Sequence, residues 1–173
     1  MTKYPFPFIT LHWLTAVSVI LAYLTSGDPT RAHSSLDALI GQLHVATGML
    51  VFALVCVRVL LRLSLPMPPQ TPSHPLLNKS ASAAHLLLYL LLFLTPLAGW
   101  CKLSAKTTEF SALGWHLPLL PSPTSLLAAL GNAHELIGNA FITLVGLHAL
   151  AAIFHHVYLK DGVLQKMLPR RPL

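Results

Sequence analysis

Apolar residues in this chain gather into four long blocks, approximately Phe6–Thr25, Leu39–Leu61, Ala83–Leu103 and His134–Leu159. Each approaches the roughly 20 residues that an α-helix needs to cross a bilayer, so the pattern predicts four transmembrane helices. The breaks between blocks are equally informative. Pro66, Pro68, Pro69, Pro72 and Pro75 crowd the second break, where they exclude helix and predict an extended connection. The third break, from about Ser104 to Asn132, holds Pro118, Pro121 and Pro123 among apolar residues. Its stretch Phe110–Leu120 is too short and too proline-broken to span, and predicts a cap lying on the membrane surface.

Composition points the same way. Hydrophobic residues make up 54% of the 173 and charged residues 9%. Soluble domains carry about 25% charged residues, so this chain has too little polar surface to cover a globule. The expected fold is an all-α membrane protein, a four-helix transmembrane bundle forming one domain over residues 1–173. No removable signal peptide is expected: few positive charges precede the first block and no small-residue cleavage pattern follows it. Basic residues set the orientation. With both termini cytoplasmic, Lys3, Arg58, Arg62, Lys79, Lys160, Lys166, Arg170 and Arg171 lie inside, and Arg31, Lys102 and Lys106 outside. The net charge of +6 therefore belongs to topology, with the lipid bilayer and not nucleic acid as the partner. Cys56 and Cys101 fall on opposite sides in this arrangement, which disfavours a disulfide, and no C-x-x-C-H motif offers covalent haem attachment.

Ten histidines stand out in so apolar a chain, because polar side chains inside a bilayer are costly and mark function. His134 and His148 are 14 residues apart in the fourth block. On a helix that places them within about 40° of one face and about 21 Å apart along the axis. At a matching depth near the outer side comes His44 of the second helix, and near the inner side His12 of the first. Two transverse pairs follow, His12 with His148 and His44 with His134. A porphyrin plate needs small neighbours, and same-face neighbours on a helix lie three and four positions away. Four positions after these histidines come Ala16, Gly48, Gly138 and Ala152, and three before the outer pair come Gly41 and Gly131. Four after His85, His155 and His156 come Tyr89, Leu159 and Lys160 instead. The expectation is two haems b within the bundle, each iron held by two imidazoles, a closed coordination that suits electron transfer over oxygen binding. Interhelical hydrogen bonds in a cofactor-free bundle would leave the matched depths and small neighbours unexplained. A zinc centre would want three or four ligands at one depth, where this pattern gives two at each.

Leu11-His12-Trp13, His44-x-x-x-Gly48, Arg58-x-x-x-Arg62, His85, His134-Glu135, Gly146-Leu147-His148, and a closing His155-His156 with Tyr158-x-Lys160-Asp161 cover nearly the whole chain in this order. In these motifs the sequence resembles the bacterial di-haem cytochrome b561 family. More distantly it is similar to the cytochrome b subunits of membrane hydrogenases and formate dehydrogenases. The resemblance implies residence in the bacterial inner membrane and two haems b that carry electrons between its faces and exchange them with quinone. It further implies oxidation of superoxide at the periplasmic face and reduction of ubiquinone near the cytoplasmic haem, and it makes the two fourth-helix histidines ligands. Two other readings use the same residues. One is quinol oxidation with the opposite electron flow. The other is a haem-bearing anchor for a larger dehydrogenase or hydrogenase-like complex, with a protein partner the sequence does not name. A haem-free carrier or channel would be colourless.

The remaining polar residues carry two readings each. Arg58 and Arg62, one turn apart near the inner haem, pair its propionates or simply anchor the inner end. Arg31, Lys102 and Lys106 bind outer propionates, steer a small anion, or are plain solvated charge. His85, His155 and His156 serve a quinone or its protons, or touch lipid headgroups. Glu135 complements a helix N-terminus or carries outer-side protons, and Trp13, Trp100 and Trp115 fit interfacial anchoring.

Overall fold

The computed structural model describes residues 3–28, 30–66, 75–121 and 124–168; Pro68, Pro69, Pro72, Pro123, Arg170 and Arg171 lie outside the described residues. Among the described residues, four helices are long and apolar enough to cross a membrane. They are α1 (Phe6–Leu24), α2 (Ser35–Ser64), α3 (Pro75–Lys106) and, after a short α4 (Ser125–Asn132), α5 (His134–Phe154). A π-helical turn, His155–Leu159, continues α5, and a 3-10 turn, Leu164–Met167, follows.

The second and third helices outrun their apolar blocks at both ends, and local chemistry explains where they start. The Ser34 hydroxyl accepts the Asp37 N–H and caps α2, with the Asp37 carboxylate in the first turn where the helix dipole favours it. Pro75, expected among the helix-excluding prolines, instead opens α3. A proline is tolerated there because first-turn N–H groups have no partner inside the helix. The expected cap at 110–120 is a small hairpin, β1 (Ser111–Ala112) against β2 (Trp115–His116). Its turn places Leu113 and Gly114 at φ 52° and 85°, the two left-handed positions of a tight hairpin. The Leu113 N–H donates to Gln42 of α2, the Trp100 indole to the Pro118 carbonyl, and the Leu120 N–H to Ser104, so the cap is stitched to the helix ends.

Packing is sequential. α1 lies on α2, α2 on α3, and α3 on α4 and α5, while α5 makes no comparable backbone contact with α1 or α2. The centre is filled by Val19, Val51, Val55, Leu92 and Phe141. Most other long apolar side chains point outward, among them Leu60, Leu63, Leu86, Leu147 and Leu150, as a lipid-facing surface requires. The two ends of the described chain meet at one end of the bundle. There the Trp13 indole donates to the Met167 carbonyl at 2.8 Å, and Lys3 Nζ donates to Leu168 at 3.1 Å.

Candidate functional site

α5 carries His134 in its first turn, Phe141 in the middle and His148 beyond, each seven residues from the next. Seven residues are nearly two whole turns, so all three project to about the same side, at levels roughly 10 Å apart. That side faces α1 and α2 across the part of the bundle where the backbones stand apart. Two histidines close the gap. His44 of α2 stands opposite His134 with ring centres 6.1 Å apart, at the end away from the termini. His12 of α1 stands opposite His148 at 6.4 Å, at the termini end. An imidazole nitrogen sits about 2 Å from a metal and its ring centre ~1 Å further back, so two rings that share one metal have centres about 6 Å apart. Both pairs have the donors and the spacing for an iron held between two imidazoles.

At the far end the ring orientations are fixed by the backbone. His44 Nδ1 lies 2.8 Å from the carbonyl of Ala22, in the last turn of α1, where carbonyls lack helical partners. His134 Nδ1 lies 3.0 Å from the Thr95 carbonyl of α3. A carbonyl only accepts, so both Nδ1 atoms carry the proton and both Nε2 atoms keep the lone pair that a metal needs. The pair opens into a cavity of about 590 Å³ lined by His44, Gly48, Gly99, His134 and Gly138, with Phe141 among its walls. A Cβ on Gly99 would come within 2.9 Å of His134 Cε1, so the ring occupies the room that this glycine leaves. Gly48 faces open space, and Gly138 meets only the Thr95 methyl at 3.8 Å. Gly131, expected to make room for a porphyrin, instead lets α4 approach α3: a Cβ there would come within 2.8 Å of the Lys102 nitrogen. Neither it nor Gly41 lines the cavity.

The termini end is built differently. Arg58 of α2 is buried, with its guanidinium carbon 5.4 Å from the ring centres of Phe8 and Tyr89, and Nη2 lies 3.3 Å from His12 Nδ1. Arg62, more exposed, has its guanidinium carbon 5.7 Å from the ring centre of the same tyrosine. His85 of α3 also reaches this level, its ring centre 5.7 Å from that of His148. Beyond α5, His155 Nδ1 pairs with the Asp161 carboxylate at 2.5 Å, while His156 is exposed. Partial burial works against ionisation of Asp161, but hydrogen bonds from His155 and the Val163 N–H outweigh it and hold the carboxyl below its usual range.

Of the three outer-side cations, two share a counter-charge. Lys106 Nζ donates to Asp28 at 2.6 Å, and Arg31 Nε lies 3.7 Å from the same carboxylate. Hydrogen bonds from Lys106 and Thr30 keep the Asp28 carboxyl well below the ordinary carboxylate range. Lys102, partly buried, lines the cavity itself, as does Glu135. Sequence reasoning missed Ala22, Thr95 and Gly99 as neighbours of the histidines, and Phe8 and Tyr89 as neighbours of Arg58. The one signal available was the break Thr95-Pro96 with Gly99 inside an otherwise unbroken leucine-rich block.

Residues 3–170 match the family profile described as prokaryotic cytochrome b561. A Yersinia pestis protein named probable superoxide oxidase CybB is 32% identical over 98% of this chain and 97% of its own length. Cytochrome b561 homolog 1 of Escherichia coli is 32% identical over 94% and 95%, and cytochrome b562 of Cereibacter sphaeroides 32% over 94% and 93%. Matched from end to end and folded as four apolar spans, the chain belongs to the prokaryotic cytochrome b561 family, as a multi-pass membrane cytochrome of the b type that works as an electron-transferring oxidoreductase.

Proposed function

We propose that this cytochrome holds two haems b, one between His44 and His134 and one between His12 and His148, and passes electrons from superoxide at the far end to ubiquinone at the termini end. The observation that carries this reading is that α5 offers one histidine at each end, each opposite a histidine of another helix at a spacing that admits one metal. The distribution of basic residues turns the termini end toward the cytoplasm, with the single domain in the bacterial inner membrane. When bound, haem supplies reversible one-electron chemistry, and two imidazoles close its iron to oxygen.

The chain's residues do the rest. His12, not His85, is the partner of His148: α3 packs directly on α5, whereas His12 reaches across the gap that a plate would fill. Lys102 in the cavity wall, with Lys106 and Arg31 on the rim, draws a small anion toward the far-end pair. Arg62, the more exposed of the two arginines, takes a propionate. Reduction of ubiquinone consumes protons, which His155 delivers with Asp161 as its fixed acceptor.

The test is a dithionite-reduced minus oxidised spectrum of the detergent-purified protein, with haem per chain measured by pyridine haemochrome, followed by superoxide consumption with ubiquinone as acceptor. Two b-type haems and quinone-dependent superoxide loss are expected. A colourless protein from haem-replete cells would overturn the proposal. A protein with both haems but no superoxide reaction would remove the substrate and keep the scaffold.

A further inference from the structure

We infer that Arg58 holds the termini-end haem at a higher reduction potential than the far-end haem, and so gives electrons their direction through the bundle. The inference rests on the ligand pairs proposed above. Arg58 comes from α2, is 9% exposed, and is gripped between Phe8 of α1 and Tyr89 of α3 with Nη2 at 3.3 Å from His12 Nδ1. Among the described residues no carboxylate lies within ion-pair distance of it. Its Nε is buried without a hydrogen-bond partner among the described residues. Arginine stays charged in proteins. The termini-end pair therefore sits beside a full positive charge in an apolar interior, where a charge acts far more strongly than in water. A positive charge favours the state with one more electron. It also offers His12 only donors, so it adds nothing to the basicity of that imidazole.

The far-end pair has the opposite surroundings. Both Nδ1–H groups face backbone carbonyls, at 2.8 and 3.0 Å, which raises ligand basicity and favours the oxidised metal. Lys102 and Glu135 bring opposite charges to His134 at the cavity wall. The couple at each site takes up or gives one electron, with no bond made or broken and no proton moved. The difference between the ends thus comes from one buried cation and two carbonyls.

The test is an equilibrium redox titration of the holoprotein, followed at the haem α-band, with haem per chain measured alongside. Wild type should titrate in two one-electron waves. In Arg58→Gln the higher wave should fall by at least tenfold in equilibrium constant, about 59 mV for one electron, while the lower wave stays. Arg58→Lys should recover most of the shift. Single-site proteins give an independent measurement that survives any misfolding of Arg58→Gln. His134→Ala, left with the termini-end haem, should titrate near the higher wave, and His148→Ala near the lower. Two retained haems with an unmoved upper wave in Arg58→Gln, or a reversed order in the single-site proteins, would overturn the inference and leave the ligand reading standing. Retention of both haems in His134→Ala and His148→Ala would instead remove the ligand reading, and this inference with it.

Discussion

The two histidine pairs have almost the same ring separation and quite different support. At the far end both rings are pinned by main-chain carbonyls, one from the last turn of α1 and one from α3, and a glycine is cut away to seat the His134 ring. At the termini end no carbonyl among the described residues fixes His12; its Nδ1 meets a guanidinium, and a third imidazole, His85, has its ring centre 5.7 Å from that of His148. One end is thus preset in ring orientation and proton position. Ligation of His12 through Nε2 requires its proton on Nδ1, which an arginine cannot accept. In the proposed ligation, therefore, the contact at 3.3 Å must loosen. Similar spacing does not mean similar preparation.

The largest effect belongs to the ligands. His44→Ala or His134→Ala should remove one haem per chain, and His12→Ala or His148→Ala the other, while His85→Ala keeps both; pyridine haemochrome with the reduced spectrum reads this directly. Loss of a haem in His85→Ala with retention in His12→Ala would reassign the termini-end pair. Next comes the glycine seat. Gly99→Ala brings a methyl to 2.9 Å from His134 Cε1, an overpacking that costs about 1–3 kcal/mol. Far-end haem should drop below half occupancy while the termini-end haem is untouched. Gly48→Ala is the complementary case, because no atom of the described residues beyond its own helical turn lies within 4 Å of a Cβ there. That variant should keep the melting temperature of the haem-free protein yet bind far-end haem less tightly, as space reserved for a plate demands.

The smallest effect lies on the rim. Asp28→Asn frees Lys106 and Arg31 from their shared carboxylate and should raise the low-salt rate with superoxide about threefold, an increment that salt abolishes. The pH response has a definite sign. The Asp28 carboxyl is held below its ordinary range. Its clasp is therefore present above the ordinary carboxylate pKa and lost only as pH falls through the depressed one. Acidification from pH 8 to about 5 should leave the wild-type and Asp28→Asn rates in constant ratio, measured by stopped-flow absorbance.

Much of this architecture could be read from the chain, because a helix converts spacing into depth. Fourteen residues between His134 and His148 fix two levels, and the alternation of spans puts His44 and His12 at those levels; the structure brings those same side chains together. What escaped depends on contacts between distant segments. α4 was hidden in a connection whose apolar and proline content resembled a surface cap, and only the Thr124 cap at Leu127 marks its start. Pro75 read as a breaker because a proline's effect depends on its position, and at a helix start it costs nothing. Gly131 and Gly138 stand seven residues apart in sequence, yet Gly131 falls in α4 and serves a neighbouring backbone while Gly138 falls in α5 and serves a cavity. Spacing along one helix does not say what lies opposite. The Ala22 and Thr95 carbonyls belong to no motif, since any residue supplies a carbonyl.

The order of the helices along the chain also has a consequence for assembly. Both pairs take one member from α5, the last of the four spans. If these pairs hold haem as proposed, a nascent chain with three spans inserted owns His12 and His44 but no complete pair, and neither haem has a finished seat until the final span enters the membrane. Cofactor capture then becomes a report on completed synthesis. A chain cut short before residue 134 would have no site at all, and one cut between 134 and 148 would have only the far-end site. Pigment in a membrane fraction would therefore count finished molecules, with the half-pigmented class marking where translation stopped.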